Sequence, residues 1–167
     1  MSIHVLHSRQ IVPASLEECW VFFSNPRNLA EITPPELDFQ VLSDLPATMH
    51  AGMMIEYRVR PLLGIPVTWL TEITQVEPLR RFVDEQRVGP YKIWHHEHTF
   101  TALEGGGTEM RDTVHYVLHG WLAGDVINAL IVRRELAKIF GHREVAVERR
   151  FGKVAIKDPR PQHAVGG

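Results

Sequence analysis

RRFVDEQRVGPYKIWHHEHTFTALEGGGTEMRDTVHYVL, residues 80–118, decides the fold. Three alternating runs, 80–88, 92–103 and 108–118, are separated by Gly89-Pro90-Tyr91 and by Gly105-Gly106-Gly107. Period-two alternation between glycine-bearing breaks marks consecutive antiparallel strands joined by hairpins. In the last run Met110, Asp112, Val114, Tyr116 and Leu118 share one face, and Arg111, Thr113, His115 and Val117 the other. The first face is the apolar one, so Asp112 is carried inward.

The same rhythm extends upstream, with strands expected near 38–44, 53–61 and 66–77 and breaks at 46–52, Leu63-Gly64-Ile65 and Pro78-Leu79. A further strand fits residues 3–12. Between it and the second strand, Ser15 and Glu18 form a capping box for a helix over 16–23. Asn25-Pro26 ends that helix, and 28–32 adds a second short one before Thr33-Pro34-Pro35. Downstream, 122–150 contains no proline, and Leu122, Val126, Leu130, Leu136, Ile139, Phe140 and Val147 recur at helical spacing. Gly141 marks a place where this helix can bend. The sum is an α+β arrangement: a curved, seven-stranded antiparallel sheet around a long C-terminal helix, with two short helices between strands 1 and 2.

Composition agrees with one globular domain. The chain has 167 residues, 44% hydrophobic and 23% charged, near the averages for a folded domain. We expect one domain over 1–157 and a disordered tail over 158–167, where Pro159, Pro161 and Gly166-Gly167 cluster. Lys and Arg total 18 against 20 for Asp and Glu, so no bulk charge favours nucleic acid or an anionic membrane. Arg133-Arg134, Lys138, Arg143 and Arg149-Arg150 alternate with Glu135, Glu144 and Glu148 and read as a solvated helix face with local ion pairs. The single cysteine, Cys19, suits core packing. No leader pattern opens the chain and no apolar run approaches membrane-spanning length. A cytoplasmic protein without integral membrane association is expected.

Several motifs together resemble the helix-grip superfamily of START domains, birch-pollen-allergen-like proteins and polyketide cyclases (SRPBCC). They are Trp20-x-x-Phe23 with Asn25-Pro26, Pro78-x-x-Arg81-Phe82, the glycine hairpin with Thr108, and the terminal helix. A second set is similar to a bacterial ligand-binding branch, some of it labelled cell division inhibitor: Ile32-Thr33-Pro34-Pro35, Gly64-Ile65-Pro66, Trp69-x-Thr71-x-Ile73, Asp84-x-Gln86, Gly89-Pro90-Tyr91 and Trp94-x-His96-x-His98-x-Phe100. The resemblance implies an apolar cavity between sheet and terminal helix. It brings no transferable catalytic set.

Parity assigns the side chains that face inward. Met53, Ile55, Tyr57 and Val59 form one inward row, and Val67, Trp69, Thr71 and Ile73 the next. Phe82, Asp84, Gln86 and Val88 follow, then Trp94, His96, His98, Phe100 and Ala102. Closing the Gly89 hairpin with Val88 facing Lys92 sets Asp84 opposite His96 and Phe82 opposite His98. Closing the triple-glycine hairpin with Glu104 facing Thr108 sets Asp112 opposite Phe100, within diagonal reach of His98, and a shift of two residues in either hairpin would keep the parity.

Two carboxylates and two imidazoles on a concave face need partners. They can form a structural network, fixed by Asp–His hydrogen bonds and buried water. They can also be the polar contacts of a site for a small hydrophobic or amphipathic molecule such as a lipid, polyketide or aromatic metabolite. In that preferred reading Tyr57, Trp69, Trp94 and Phe100 cover its apolar part, and Thr71, Gln86 and Tyr116 lie on the same inward rows. A cyclase- or aromatase-like enzyme would use His96, His98, Asp84 and Asp112 in acid–base chemistry, and an interaction module bearing on cell division is a third class. His96-x-His98 with Asp84 or Asp112 also has metal-ligand character, but the neighbouring aromatic rings favour an organic occupant, so neither metal nor cofactor is expected. Gly64, Tyr91 and Trp121 are candidates for the cavity mouth.

Overall fold

Ser15 starts the first helix as its capping box requires. Its hydroxyl accepts from the Glu18 N–H at 3.2 Å, and the Glu18 carboxylate accepts from the Ser15 N–H at 2.9 Å. The resulting helix α1 spans Leu16–Phe23. The structure is a computed structural model that describes residues 2–62, 65–119 and 125–153. Gly64, Trp121 and the expected tail over 158–167 lie outside the described residues.

Seven strands follow the expected rhythm: β1 (His4–Val12), β2 (Gln40–Val41), β3 (Met53–Leu62), β4 (Ile65–Glu77), β5 (Arg81–Val88), β6 (Ile93–Ala102) and β7 (Thr108–Val117). They form one antiparallel sheet in the order β1-β7-β6-β5-β4-β3-β2. The sheet is therefore a meander whose first strand closes on its last. Register shifts in β3–β4 and β4–β5 add local twist and bend the sheet into a concave surface. Helix α2 (Asp125–Phe151) crosses that surface and runs on through Gly141. Val132, Leu136 and Val147 are buried along it, whereas Leu130 faces outward.

Three expectations need correction. The second strand shrinks from 38–44 to Gln40–Val41, because two 3₁₀ segments, Pro26–Ile32 and Pro35–Leu37, occupy the insert and Asp38 ends the latter in a left-handed conformation. Val88 faces solvent: β4 and β5 slip between the pairs Leu70–Val88 and Thr71–Gln86, which takes Val88 out of the inward alternation. Ala102, at the hairpin end of β6, is exposed as well.

The third correction matters most for the site. The β5–β6 register is the expected one, with Asp84 opposite His96 and Phe82 opposite His98. The β6–β7 hairpin closes two residues earlier, pairing Ala102 with Thr108, so Asp112 stands opposite His98 instead of Phe100. The turn tightens around Leu103, whose carbonyl accepts from Gly106 N–H and whose own N–H donates to the Gly107 carbonyl. Gly105, Gly106 and Gly107 all have positive φ, +96°, +98° and +87°, a run that only glycine adopts without strain. Parity is unchanged by a slip of two, so Asp112 still points inward.

The core divides into two clusters. One gathers α1 and the insert against the near end of the sheet through Phe22, Phe23, Ile32, Phe82 and Phe100. Cys19 is fully buried within it. The other packs Trp69, Tyr91, Trp94 and Tyr116 against Val132 and Leu136 of α2.

Candidate functional site

A cavity of about 200 Å³ lies under α2, lined by residues from both clusters. Its walls are mostly apolar: Phe22, Phe23, Leu29 and Ile32 from α1 and the insert, Ile55, Trp69, Ile73 and Trp94 from the sheet, Leu136, Ile139 and Phe140 from α2. Rings dominate the far wall. Trp69 stacks on Tyr57 at 5.9 Å between centroids and meets Trp94 edge-on at 5.4 Å.

Of the residues singled out from sequence, Tyr57, Trp69, Thr71, Asp84, Trp94, His96 and His98 line this cavity. Four others do not. Gln86 brackets the Gly89 turn, donating to the Tyr91 carbonyl at 2.6 Å and accepting from the Tyr91 N–H at 3.2 Å. Phe100 packs into the core against Trp20, Phe23 and Phe82. Tyr116 belongs to the second core cluster and stacks on His4. Asp112 lies behind the two histidines, 2% exposed. Tyr91, a candidate for the cavity mouth, is a buried residue of the cavity wall packed on Trp94 and Trp69.

The polar floor follows from the register. β6 runs between β5 and β7, so Asp84 approaches its histidines from one side and Asp112 from the other. Asp84 Oδ2 is 3.3 Å from His96 Nδ1 and 2.9 Å from His98 Nε2. Asp112 Oδ1 is 3.1 Å from His96 Nε2 and 2.8 Å from His98 Nδ1. The imidazoles lie one over the other at 3.8 Å, with Phe82 stacked on His98 at 4.1 Å and Phe140 edge-on to His96. Every ring nitrogen of the pair thus faces a carboxylate oxygen.

Arg143 completes the cluster, and sequence reasoning missed it. It is not part of a solvated face: it is 9% exposed and reaches under the sheet, Nη1 3.3 Å from Asp112 Oδ1 and Nη2 3.3 Å from His98 Nδ1. Phe23 lies under its guanidinium at 5.4 Å. The missed signal was in the periodicity. Leu136, Ile139, Phe140, Arg143 and Val147 follow helical spacing, which puts the arginine on the apolar stripe.

Electrostatics separates the two histidines. Burial works against charge on both, but the hydrogen bonds from Asp112 and Asp84 outweigh it at His98, whose pKa lies above the ordinary imidazole value. At His96 burial prevails, reinforced by repulsion from His98, and the pKa falls. Burial alone would lift Asp112; Arg143 and the two imidazoles instead hold it well below the carboxylate range. Asp84 is likewise lowered, burial being offset by His96 and His98. The two carboxylates are thus offset by the Arg143 guanidinium and by the neighbouring imidazoles, of which His98 holds a proton more readily than His96. Such a balanced cluster is what makes buried charge tolerable.

Two buried donors on residues of the cavity wall lack a hydrogen-bond partner among the described residues, Trp69 Nε1 and Arg143 Nε. No helix among the described residues is long and apolar enough to cross a membrane.

Comparison with known proteins agrees with this architecture. A family model described as polyketide cyclase / dehydrase and lipid transport matches residues 12–137. No curated protein matches the sequence significantly. Among solved structures, a START superfamily protein of Mycobacterium smegmatis superposes with a TM-score of 0.65 at 13% identity, over 89% of this chain and 97% of that one. The di-domain ARO/CYC BexL of the BE-7585A biosynthetic pathway gives 0.68 at 18% identity, over 91% of this chain and 51% of that longer one. Norcoclaurine synthase of Thalictrum, as a point mutant with a transition state analogue, gives 0.60 at 14% identity, over 89% and 96%. At such identities the likeness is one of fold.

Proposed function

The chain belongs to the polyketide cyclase / dehydrase and lipid transport family, a ligand-binding group of the START-like helix-grip superfamily, and from that premise we propose that it binds one compact amphipathic molecule under α2. The observation that carries the reading is a ring-lined cavity with the polar groups of Asp84, His96 and His98 on its wall. Asp84 offers an acceptor for a hydroxyl on that molecule.

Size narrows the class. A volume of about 200 Å³ falls below the roughly 300–1,000 Å³ of drug-sized sites. That favours a fused-ring or aromatic metabolite, or a short polyketide, over a full lipid chain. The ring-on-ring walls supply stacking and edge contacts suited to such a molecule.

Isothermal titration with 2-naphthol and with naphthalene tests the reading. The naphthol is expected to bind with 1:1 stoichiometry and more tightly than the hydrocarbon. Asp84→Asn, which keeps the side chain's size and removes the anionic acceptor, should weaken naphthol binding by about two- to tenfold, the worth of one hydrogen bond. Leu136→Trp, which fills the cavity, should abolish both. Equal affinity for the two compounds, or binding unchanged in Leu136→Trp, would remove the proposal.

A further inference from the structure

We propose that Asp84, His96 and His98 form a binding site for a divalent first-row transition ion, zinc foremost, with buried Asp112 as the carboxylate that orients both imidazoles. The inference concerns the cavity floor and does not depend on which organic molecule, if any, occupies the space above it.

Ligand-atom spacing is the first support. An ion held tetrahedrally at about 2.0–2.2 Å from nitrogen and oxygen ligands sets those ligands about 3.3–3.6 Å apart. Asp84 Oδ2 stands 3.3 Å from His96 Nδ1 and 2.9 Å from His98 Nε2. One ligand atom from each of the three residues lies within 4.8 Å of the others.

The second support lies behind the ligands. A histidine that binds metal through one nitrogen commonly donates its other N–H to a carboxylate, which fixes the ring and its tautomer. Here a single oxygen, Asp112 Oδ1, serves both rings, 3.1 Å from His96 Nε2 and 2.8 Å from His98 Nδ1. Asp112 is 2% exposed and is itself held by Arg143 at 3.3 Å. The guanidinium offsets the Asp112 carboxylate, and it also lines the cavity beside Asp84.

Access is the third. Asp84, His96 and His98 all line the cavity and Asp112 does not, so a fourth coordination position would open toward the space where a small molecule fits. Three protein ligands with an open position are the pattern of a reactive rather than a purely structural site. Two imidazoles with one carboxylate select zinc, iron, cobalt or nickel. They do not suit calcium or magnesium, which require several oxygen ligands.

The sequence alone favours an organic occupant, because a His-x-His pair is common without metal. What it could not supply is the β6–β7 register, which moves Asp112 from Phe100 to His98 and gives the imidazoles their common support.

The test uses chelator-stripped protein titrated with Zn²⁺ against a chromophoric competitor, and with Co²⁺ followed by its visible absorption. One ion per chain is expected, with the intense bands of low-coordinate cobalt. Asp84→Asn and His96→Gln should each abolish stoichiometric binding, and Asp112→Asn should weaken it by about 10–100-fold. His95→Ala, at a half-buried histidine of the same strand whose ring pairs with Glu85 on the opposite face of the sheet, serves as a control that leaves zinc binding unchanged. X-ray absorption of zinc-loaded wild type needs no variant and should report two imidazole ligands. Absence of stoichiometric uptake, fewer than two imidazoles in that spectrum, or full binding in folded Asp84→Asn would overturn the proposal. Naphthol affinity is measured separately on stripped protein, so failure of either proposal is distinguishable from failure of the other.

Discussion

Asp112 is the residue on which the polar floor hangs. Its one oxygen meets both imidazoles and Arg143, so replacing it with asparagine leaves the buried guanidinium facing a neutral group. Removing one partner of a buried ion pair costs about 3–5 kcal/mol, and Asp112→Asn should lower unfolding free energy by that amount in urea titrations. A loss under about 1 kcal/mol, the range of surface ion pairs, would show that the cluster is not tied together as described. Parity alone predicts that Asp112 points inward, since a period of two survives any even slip. Arg143 was hidden by its charge. Interleaved glutamates suggest a wet face, while the spacing from Leu136 through Phe140 to Val147 places it on the dry one. Periodicity was the better guide because the cluster offers the guanidinium an anion that makes its burial tolerable.

At the scale of elements, strands were more legible than their pairing. Alternation is local and survives in the sequence from β3 through β7. The capping box at Ser15 is also local, and it forms as expected. Register is decided elsewhere, by turn conformations and bulges that depend on φ angles the residue names do not report. Three glycines in a row mark a turn without fixing which residues close it. Their individual roles are separable. A Cβ on Gly105 would meet nothing within 4 Å, whereas one on Gly107 would come within 2.9 Å of the Val12 carbonyl oxygen. Gly105→Ala should therefore cost only the left-handed backbone penalty, about 1–2 kcal/mol. Gly107→Ala should cost more and loosen the β1–β7 edge, where Val12 pairs with Thr108. Amide exchange at those two residues checks this: equal protection in the two variants would contradict the assigned turn.

For the whole molecule, the division of labour is between a rigid sheet and a helix laid across it. Two core clusters anchor α2 at separate places, and the cavity bridges them. The family resemblance in the sequence anticipates such a cavity, and the alternation anticipates most of its sheet-side wall. The wall supplied by α1, the 3₁₀ insert and α2 is less readable, because it depends on where those elements dock. The most direct measurement follows the indole N–H resonances of the ¹⁵N-labelled protein during titration with 2-naphthol. Trp69 borders the cavity, while Trp20 packs away from it on Phe82 and Phe100. The predicted result is a saturable, one-to-one shift of the Trp69 signal with Trp20 unmoved. A spectrum in which Trp69 stays fixed to saturation, or in which Trp20 moves in step with it, would contradict a bound molecule beneath α2.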